Sequence, residues 1–480
     1  MNHKSTRWLW PAGLLASVIV AYATVHFGLM AIGLAMAVFG GLFLVVRGVA
    51  HPFDLALMVV VALPIQRIFS VMIGGTSLRL SALAGLLGAG VIGLQLATRR
   101  RKLQSFPIGW LIVAYLLIAA ISATSAFDPS RSVKVTVFTI ITIVIGWFVT
   151  QAVQSKAALQ QLIRYVLIGA GIALVYGAYQ YLGDFVGLPT TITGITTTYT
   201  KAVLGFPRLQ SFMTEPLFFA SYLFLPLGIV SALWINQIGN WHRGRILLFI
   251  LIMVGAILLT VSRGALIAAG PFALTLALLH YRQALTARVI GISLALFVLV
   301  GGAGLGYLVA TKNPAVEAFV AHAGLAELRT GEGESLFGRL EAFNRAIDAW
   351  QTSPVIGIGP GNFGLYVKGY PDPATLPSFD VVNNQYLEVL AETGIVGLII
   401  YLLLLGTLAV RQLAALRTTQ DPWLIAVLTG TLAAFVALLV QENFFSTLYI
   451  VYVWVLFGIM IAAQNVAFNT ARSEKQEVRG

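Results

Sequence analysis

The residues best suited to chemistry stand at the edges of long apolar runs. Arg263 sits inside Leu258-Leu-Thr-Val-Ser-Arg-Gly-Ala-Leu-Ile, and Arg208 and Glu215 frame Arg208-Leu-Gln-Ser-Phe-Met-Thr-Glu215-Pro216. An arginine's planar, permanently charged fork suits bidentate binding of phosphate. Two of them suit a leaving group that gains negative charge as its bond breaks. A carboxylate beside lipid, as at Glu215, suits taking a proton from a hydroxyl. The plainer readings are a boundary arginine snorkelling to headgroups for Arg263, a solvated loop cation for Arg208, and an acid favoured by a helix dipole for Glu215. Ionisable residues embedded in apolar spans favour a functional reading.

The elements that position these residues are membrane helices. Hydrophobic residues make up 58% of the 480 and charged residues only 10%, against about a quarter charged in a soluble domain. About fourteen apolar spans of roughly 20 residues can be placed: 8–26, 29–46, 54–74, 80–98, 106–126, 133–153, 161–183, 215–235, 246–262, 264–281, 289–310, 394–410, 423–441 and 447–466. The first reads as a transmembrane helix with a basic inner end rather than a cleaved signal peptide. The stretch 246–281 is too long for one crossing and is split at Ser262-Arg263-Gly264. With a cytoplasmic N-terminus, most of the 30 basic residues fall in short inner loops, where only Asp54, Asp421, Glu474 and Glu477 oppose them. The net charge of +12 is therefore an orientation device beside anionic lipid, not a nucleic-acid surface. Both termini face the cytoplasm. Arg263 and the loops 184–214 and 311–393 then share the outer face. With no cysteine, disulfides, thiolate metal sites and cysteine nucleophiles are excluded.

The long outer segment opens with an amphipathic helix over 338–352. Leu340, Phe343, Ala346, Ile347 and Trp350 form one face, Glu341 and Arg345 pair on the other, and Pro354 ends it. Gly357-Ile-Gly359-Pro-Gly361 mimics a dinucleotide loop, but no strand precedes it and Pro360 interrupts it, so these glycines read as tight turns. Asn383 or Asn384 caps a following helix, and Gly394 stops it. Glu442, beside Gln441 and Asn443, reads as a residue lining the outer cavity.

Taken in order, these motifs resemble the O-antigen polymerase and O-antigen ligase family of membrane glycan transferases. The resemblance rests on Ser262-Arg263-Gly264, on Arg339, Trp350, Pro354, Gly357 and Gly359, on Asn383-Asn384-Gln385-Tyr386-Leu387 followed by Glu392-Thr393-Gly394, and on Arg208 to Pro216. It covers roughly residues 200–400 and the many-span layout. It implies a glycan donor carried on undecaprenyl diphosphate, a lipid-linked sugar acceptor, surrounding membrane lipid, transfer at the outer face of the inner membrane, no cofactor and no metal. It also implies a partner that sets chain length. The family's histidine is replaced by Asn383, and asparagine has no proton to exchange near neutral pH.

The expectation is an all-α polytopic membrane protein with about 12–14 transmembrane helices. Residues 1–183 form N-terminal spans, 184–310 spans carrying Arg208 and Arg263, 311–393 an extracytoplasmic lid, and 394–480 the last spans and a cytoplasmic tail. Arg208, Arg263 and Glu215 are the expected catalytic residues, and Arg339, Asn383, Asn384 and Tyr386 the expected substrate-binding ones. Glu388 and Glu392 are weaker base candidates, and His322 stands as a remote stand-in for the missing histidine. The expected activity is an inverting, metal-independent polysaccharide polymerase. The alternatives are a ligase acting on lipid A–core or another acceptor, and a solute transporter.

Overall fold

The computed structural model describes residues 51–67, 70–73, 76–238, 242–280, 334–369 and 381–477. The expected spans at 8–26, 29–46 and 289–310, and His322, lie outside the described residues. In chain order the elements are α1 (Pro52–Ala62), β1 (Ser70–Ile73), β2 (Thr76–Arg79), α2 (Leu80–Ala97), α3 (Gly109–Ala123), α4 (Pro129–Ala152) and α5 (Lys156–Phe185). Short helices α6 (Thr190–Thr193) and α7 (Lys201–Leu204) follow, then α8 (Pro216–Ile235), α9 (Arg243–Leu259) and α10 (Arg263–His280). After the undescribed stretch come α11 (Glu334–Thr352), α12 (Phe363–Lys368), α13 (Gln385–Thr418), α14 (Pro422–Gln441) and α15 (Val451–Glu477).

Among the described residues, 8 helices are long and apolar enough to cross a membrane: α2, α4, α5, α8, α10, α13, α14 and α15. The chain is a polytopic helical membrane protein. Such helices satisfy their own backbone, which lipid cannot. Their starts are written in the sequence. Asp128, Ser155 and Asp421 accept first-turn N–H groups, from Arg131 at 3.1 Å, Ala158 at 3.2 Å and Trp423 at 2.9 Å. Pro129, Pro216 and Pro422 occupy the first helical position, where a missing N–H costs nothing.

One expected span is corrected. The stretch 54–74 is not a single crossing: α1 ends at Ala62, and Ser70–Ile73 pairs antiparallel with Thr76–Arg79. Pro64 follows the helix and cannot continue its hydrogen-bond ladder. Apart from this hairpin the described structure is helical.

Helices α8, α14 and α15 form the centre. Of their apolar windows, 78%, 72% and 94% are buried, against 33% for α2 and 28% for α10, which line the periphery. Small residues let the central helices touch through their backbones, as membrane packing favours. A Cβ on Gly228 would meet the Gly430 carbonyl oxygen at 2.3 Å, and one on Gly458 would meet that of Gly146 at 2.4 Å. At the periphery, Val113, Leu117 and Ile121 on α3 and Ile399, Leu402 and Leu403 on α13 are exposed. So much exposed apolar surface fits contact with lipid tails, not water.

The bundle has two chemically different ends. One gathers Arg101 against the carbonyls of Gln151 and Ala152, the Lys156–Asp421 ion pair, and Arg411 on Asn465. The other gathers the α3–α4 turn, the 186–215 segment, the α9–α10 break and the start of α13. The candidate residues lie at this second end.

Candidate functional site

The break expected at Ser262-Arg263-Gly264 is real. α9 stops at Leu259, Val261 takes a left-handed φ of 48°, and α10 begins at Arg263. That conformation is rare for a β-branched residue. Arg208 clips the turn: its Nε donates to the Thr260 carbonyl at 2.9 Å and its Nη2 to that of Val261 at 3.2 Å. A cation at a helix C-terminus satisfies orphaned carbonyls and the dipole together. Tyr199 lies under the guanidinium, 5.5 Å from its ring centroid. Burial pulls Arg208 below the ordinary arginine value; Tyr199 and Glu215 oppose that shift, and Arg263 adds to it. Arg208 therefore interacts electrostatically with both Glu215 and Arg263, although 55 residues separate Arg208 from Arg263 in the chain.

Glu215 is the N-cap residue of α8 and is exposed; Arg263 is half-buried. Arg263 occupies the positive end of α10, the unfavourable end for a cation. An anion there would gain from both helix and arginine. Gly264 is a packing residue, because a Cβ on it would meet the Phe444 ring at 2.8 Å.

The segment 353–362 is the second wall. Gly357, Gly359 and Gly361 all have positive φ, 76°, 92° and 74°, as tight turns require. This loop docks on a kink in α13, where Gly394 leaves helical geometry with φ 68° and ψ −173°. The kink frees backbone groups, and the loop takes them up. Ile358 N donates to Ala391 O at 3.0 Å, Gly359 N to Glu392 O at 2.9 Å, and Ile395 N to Pro354 O at 2.9 Å. Asn362 ties the same loop to the α3–α4 turn, accepting from Asp128 N at 2.8 Å and donating to Ser132 Oγ at 2.7 Å. In α11 the Glu341–Arg345 pair forms at 3.4 Å, but the buried face is Ala342, Ala346 and Ala349. Ile347, expected on the apolar face, is exposed, because close docking on α13 selects the small residues.

Sequence reasoning underrated the acids of α13. Glu388 and Glu392 are four apart on one buried face. Glu388 Oε2 accepts from Val382 N at 3.1 Å and from Ser446 Oγ, and Glu392 Oε1 accepts from Phe363 N at 3.3 Å. With Thr136, Pro360 and Tyr449 they line a cavity of about 30 Å³. That is room for a water or two, not a sugar. Thr136 Oγ1 is buried there without a protein partner, which suits such a water.

Glu442 sits inside the protein rather than on its surface. It is fully buried just beyond α14, where its Oε1 accepts from Tyr401 at 2.6 Å and Thr447 at 3.1 Å. Burial pushes its carboxyl up to about 7 against the opposing pull of the Tyr401, Thr447 and Tyr386 hydroxyls. Gln385 completes the node: its N–H donates to Glu442 O at 2.7 Å and its Oε1 accepts from Leu448 N at 3.1 Å. Segment 442–450 thereby joins the two walls. Phe444 packs on Gly264, Phe445 lies 5.5 Å from Phe218 of α8, and Ser446 holds Glu388.

The remaining expected residues take varied places. Asn384 is the cap, its Oδ1 accepting from Leu387 N at 3.1 Å. Asn383 adopts a left-handed φ of 57°, which asparagine tolerates well. Tyr386 donates its hydroxyl to Leu439 O at 2.8 Å, so its polar tip is engaged with α14. The backbone of Arg339 lies on α11, and its side chain is outside the described residues. Among the described residues, no group of three or more His, Cys, Asp or Glu is placed to hold a metal ion.

Residues 247–402 match the family model described as O-Antigen ligase. The match agrees with the resemblance seen in the motifs and supports a membrane enzyme that handles glycans. It contains Arg263, the glycine loop, Asn383, Asn384 and both α13 acids; Arg208, Glu215 and Glu442 lie outside it. No curated protein matches the chain.

Proposed function

We propose that the protein is a polysaccharide polymerase of the outer face of the bacterial inner membrane. A glycan on undecaprenyl diphosphate is the donor, and a hydroxyl of a sugar on a second lipid carrier attacks its anomeric carbon. The bond to the diphosphate oxygen breaks as the new glycosidic bond forms, with inversion and without metal. Arg208 and Arg263 hold the departing diphosphate, and Glu215 takes the proton of the attacking hydroxyl. Arg339, Asn383, Asn384 and Tyr386 border the sugars, and the 311–393 region covers them. The N-terminal and C-terminal spans, 1–183 and 394–480, frame this centre, and a separate partner sets chain length.

One observation carries the reading. Arg208, in the loop before α8, interacts electrostatically with both Glu215 at the start of α8 and Arg263 at the break between α9 and α10, at one end of an apolar bundle. The other end is rich in cations (Arg99, Arg100, Arg101, Lys102, Arg243 and Arg245), which supports a cytoplasmic placement of that end and both termini.

The test is the glycan profile of a deletion strain, resolved by size and carrier. Single repeat units accumulating on the lipid carrier support polymerase. Full-length polymer stranded on undecaprenyl diphosphate replaces it with the ligase reading. An unchanged profile removes glycan transfer altogether.

A further inference from the structure

The segment that follows α5 is inside out for a loop washed by water. Its polar side chains are turned inward: Gln180 and Asp184 at the end of α5, and Thr193, Thr200 and Gln210 beyond it, are all buried. Its apolar side chains are turned outward: Leu182, Phe185, Val186, Ile192 and Val203 are 55–73% exposed. Single exposed apolar residues mean little, but a set of them over a buried polar layer marks an apolar neighbour. From 182 to 205 the only charged residues are Asp184 and Lys201. Asp184 is spent internally, its Oδ2 accepting from Lys201 N at 2.6 Å. The Lys201 ammonium lies over the Phe185 ring, 4.6 Å from its centroid. The exposed surface therefore carries one cation and no acid.

This surface continues the lipid-facing side of a membrane helix. Ile168, Ile172, Val175, Tyr179, Leu182 and Val186 are all exposed, and their spacing of four and three residues puts them on one stripe. The stripe runs from the middle of α5 to its last turn and on into the segment without a polar break. The backbone beyond it is closed as lipid requires. Gly194 N donates to Thr190 O at 2.7 Å and Gly205 N to Lys201 O at 2.8 Å, each glycine left-handed at the end of a one-turn helix. Between them, Thr196 N donates to Gln210 Oε1 at 3.1 Å and Tyr199 N to Thr196 O at 2.9 Å. Irregular backbone is tolerated beside lipid where the protein satisfies its polar groups.

We propose that segment 186–204 is set into the headgroup layer of the bilayer instead of standing in the water above it. Its partner is a lipid surface. Phe185, Val186, Ile192 and Val203 reach the acyl boundary, and the Lys201 ammonium stays among the headgroups. The placement goes beyond the proposed reaction and does not depend on it; only the choice of the outer leaflet rests on the orientation proposed above. It has a consequence for the arginine site. Arg208 N donates to Tyr199 O at 2.9 Å, and the Tyr199 ring lies under the guanidinium. The depth of the segment therefore sets the depth of Arg208.

The chain has no cysteine, so single cysteines can report on the segment one at a time. Val186→Cys, Ile192→Cys and Val203→Cys each carry a nitroxide in the full-length protein, reconstituted in phosphatidylethanolamine/phosphatidylglycerol vesicles. All three positions are exposed, so the label need not displace packed neighbours, and each repeats the test should another variant not fold. Gly406→Cys, in open space on α13, is the lipid control; Gln420→Cys, exposed between α13 and α14, is the water control. Collision with oxygen, which concentrates in lipid, is compared with collision with a water-soluble nickel chelate. The three labels should favour oxygen, as at Gly406, and lie about 5–10 Å into the headgroup–acyl boundary. Preference for the nickel chelate, as at Gln420, places the segment in water and overturns the proposal. Shielding from both reagents also overturns it, because protein then covers the surface. Glycan transfer is measured on the same preparations. Lipid-embedded labels without transfer retain the placement and sink the proposed reaction; transfer with water-exposed labels does the reverse.

Discussion

The kink in α13 is the feature on which the second wall depends, and Gly394→Ala tests it. At φ 68° and ψ −173° the residue occupies a region that is essentially glycine-only. An added Cβ would fall 2.2 Å from the Val355 carbonyl oxygen. Either the helix straightens or loop 353–362 is expelled, and both routes break the bonds of Ile358, Gly359 and Ile395. The strain alone is about 1–3 kcal/mol. Each buried group left without a partner adds about 1–3 kcal/mol. Even with partial relaxation the total is on the order of 5 kcal/mol, a large share of the stability of a typical domain. Purified in detergent, the variant should lose roughly 10 °C in Tm and lose glycan transfer with it. Gly406→Ala on the same helix is the control. It has open space around it, so alanine's helix propensity should leave it neutral or raise stability by about 0.5–1 kcal/mol. A Gly394→Ala protein that melts with the wild type and transfers glycan normally would refute the argument that the kink and loop hold each other in place.

Other substitutions separate chemistry from scaffolding. Arg263→Ala should cut transfer roughly 10²–10³-fold with Tm little changed, and Arg263→Lys should restore part of it; equal loss in both with lowered Tm would make Arg263 structural. Arg208→Ala should lower both transfer and Tm, because it also releases the carbonyls of Thr260 and Val261. Glu442 gives a pH signature: its carboxyl, raised from 4.5 to about 7, holds its proton more tightly in the folded state. Stability should therefore fall as pH rises from about 4.5 to 7 and level off above. Glu442→Gln should flatten that slope in Tm measured from pH 4 to 9, and an unchanged slope would assign the effect elsewhere.

Local signals in the chain were the readable ones. Apolar runs located the described crossings, the Ser262-Arg263-Gly264 break was visible as a run too long for one helix, and Asn384 and the three turn glycines behaved as their residue types dictate. What escaped depends on contacts distant in sequence. Pro64 and the hairpin after it hid inside an apolar run whose average hydropathy still reads as a span. The burial of Glu388 and Glu392 follows from loop 353–362 folding over α13, which no periodicity reports. That Arg208 also clips the end of α9 shows only once Thr260 and Val261 are placed beside it. The i,i+4 spacing of Glu388 and Glu392 did put both on one helix face, and that was the available hint of a shared environment.

Segment 442–450 makes the two walls one site. It lies beyond the family match and carries none of the motifs behind the resemblance, yet it touches α8, α10 and α13. Through Phe444 it fixes the start of α10 and so Arg263; through Phe445 it meets Phe218, one turn into the helix that Glu215 opens. Through Gln385 and Ser446 it sets the first turn of α13 and Glu388. A displacement of this segment would therefore move the arginine and the α13 acids together. Phe444→Ala examines that coupling, because it removes only the ring that Gly264 accommodates. If the segment couples the walls, the variant should weaken donor use and also increase hydrogen exchange at the Gln385–Glu388 turn. Exchange confined to the α9–α10 break would show that the two walls are set independently and that the site is assembled by α8, α13 and α14 alone.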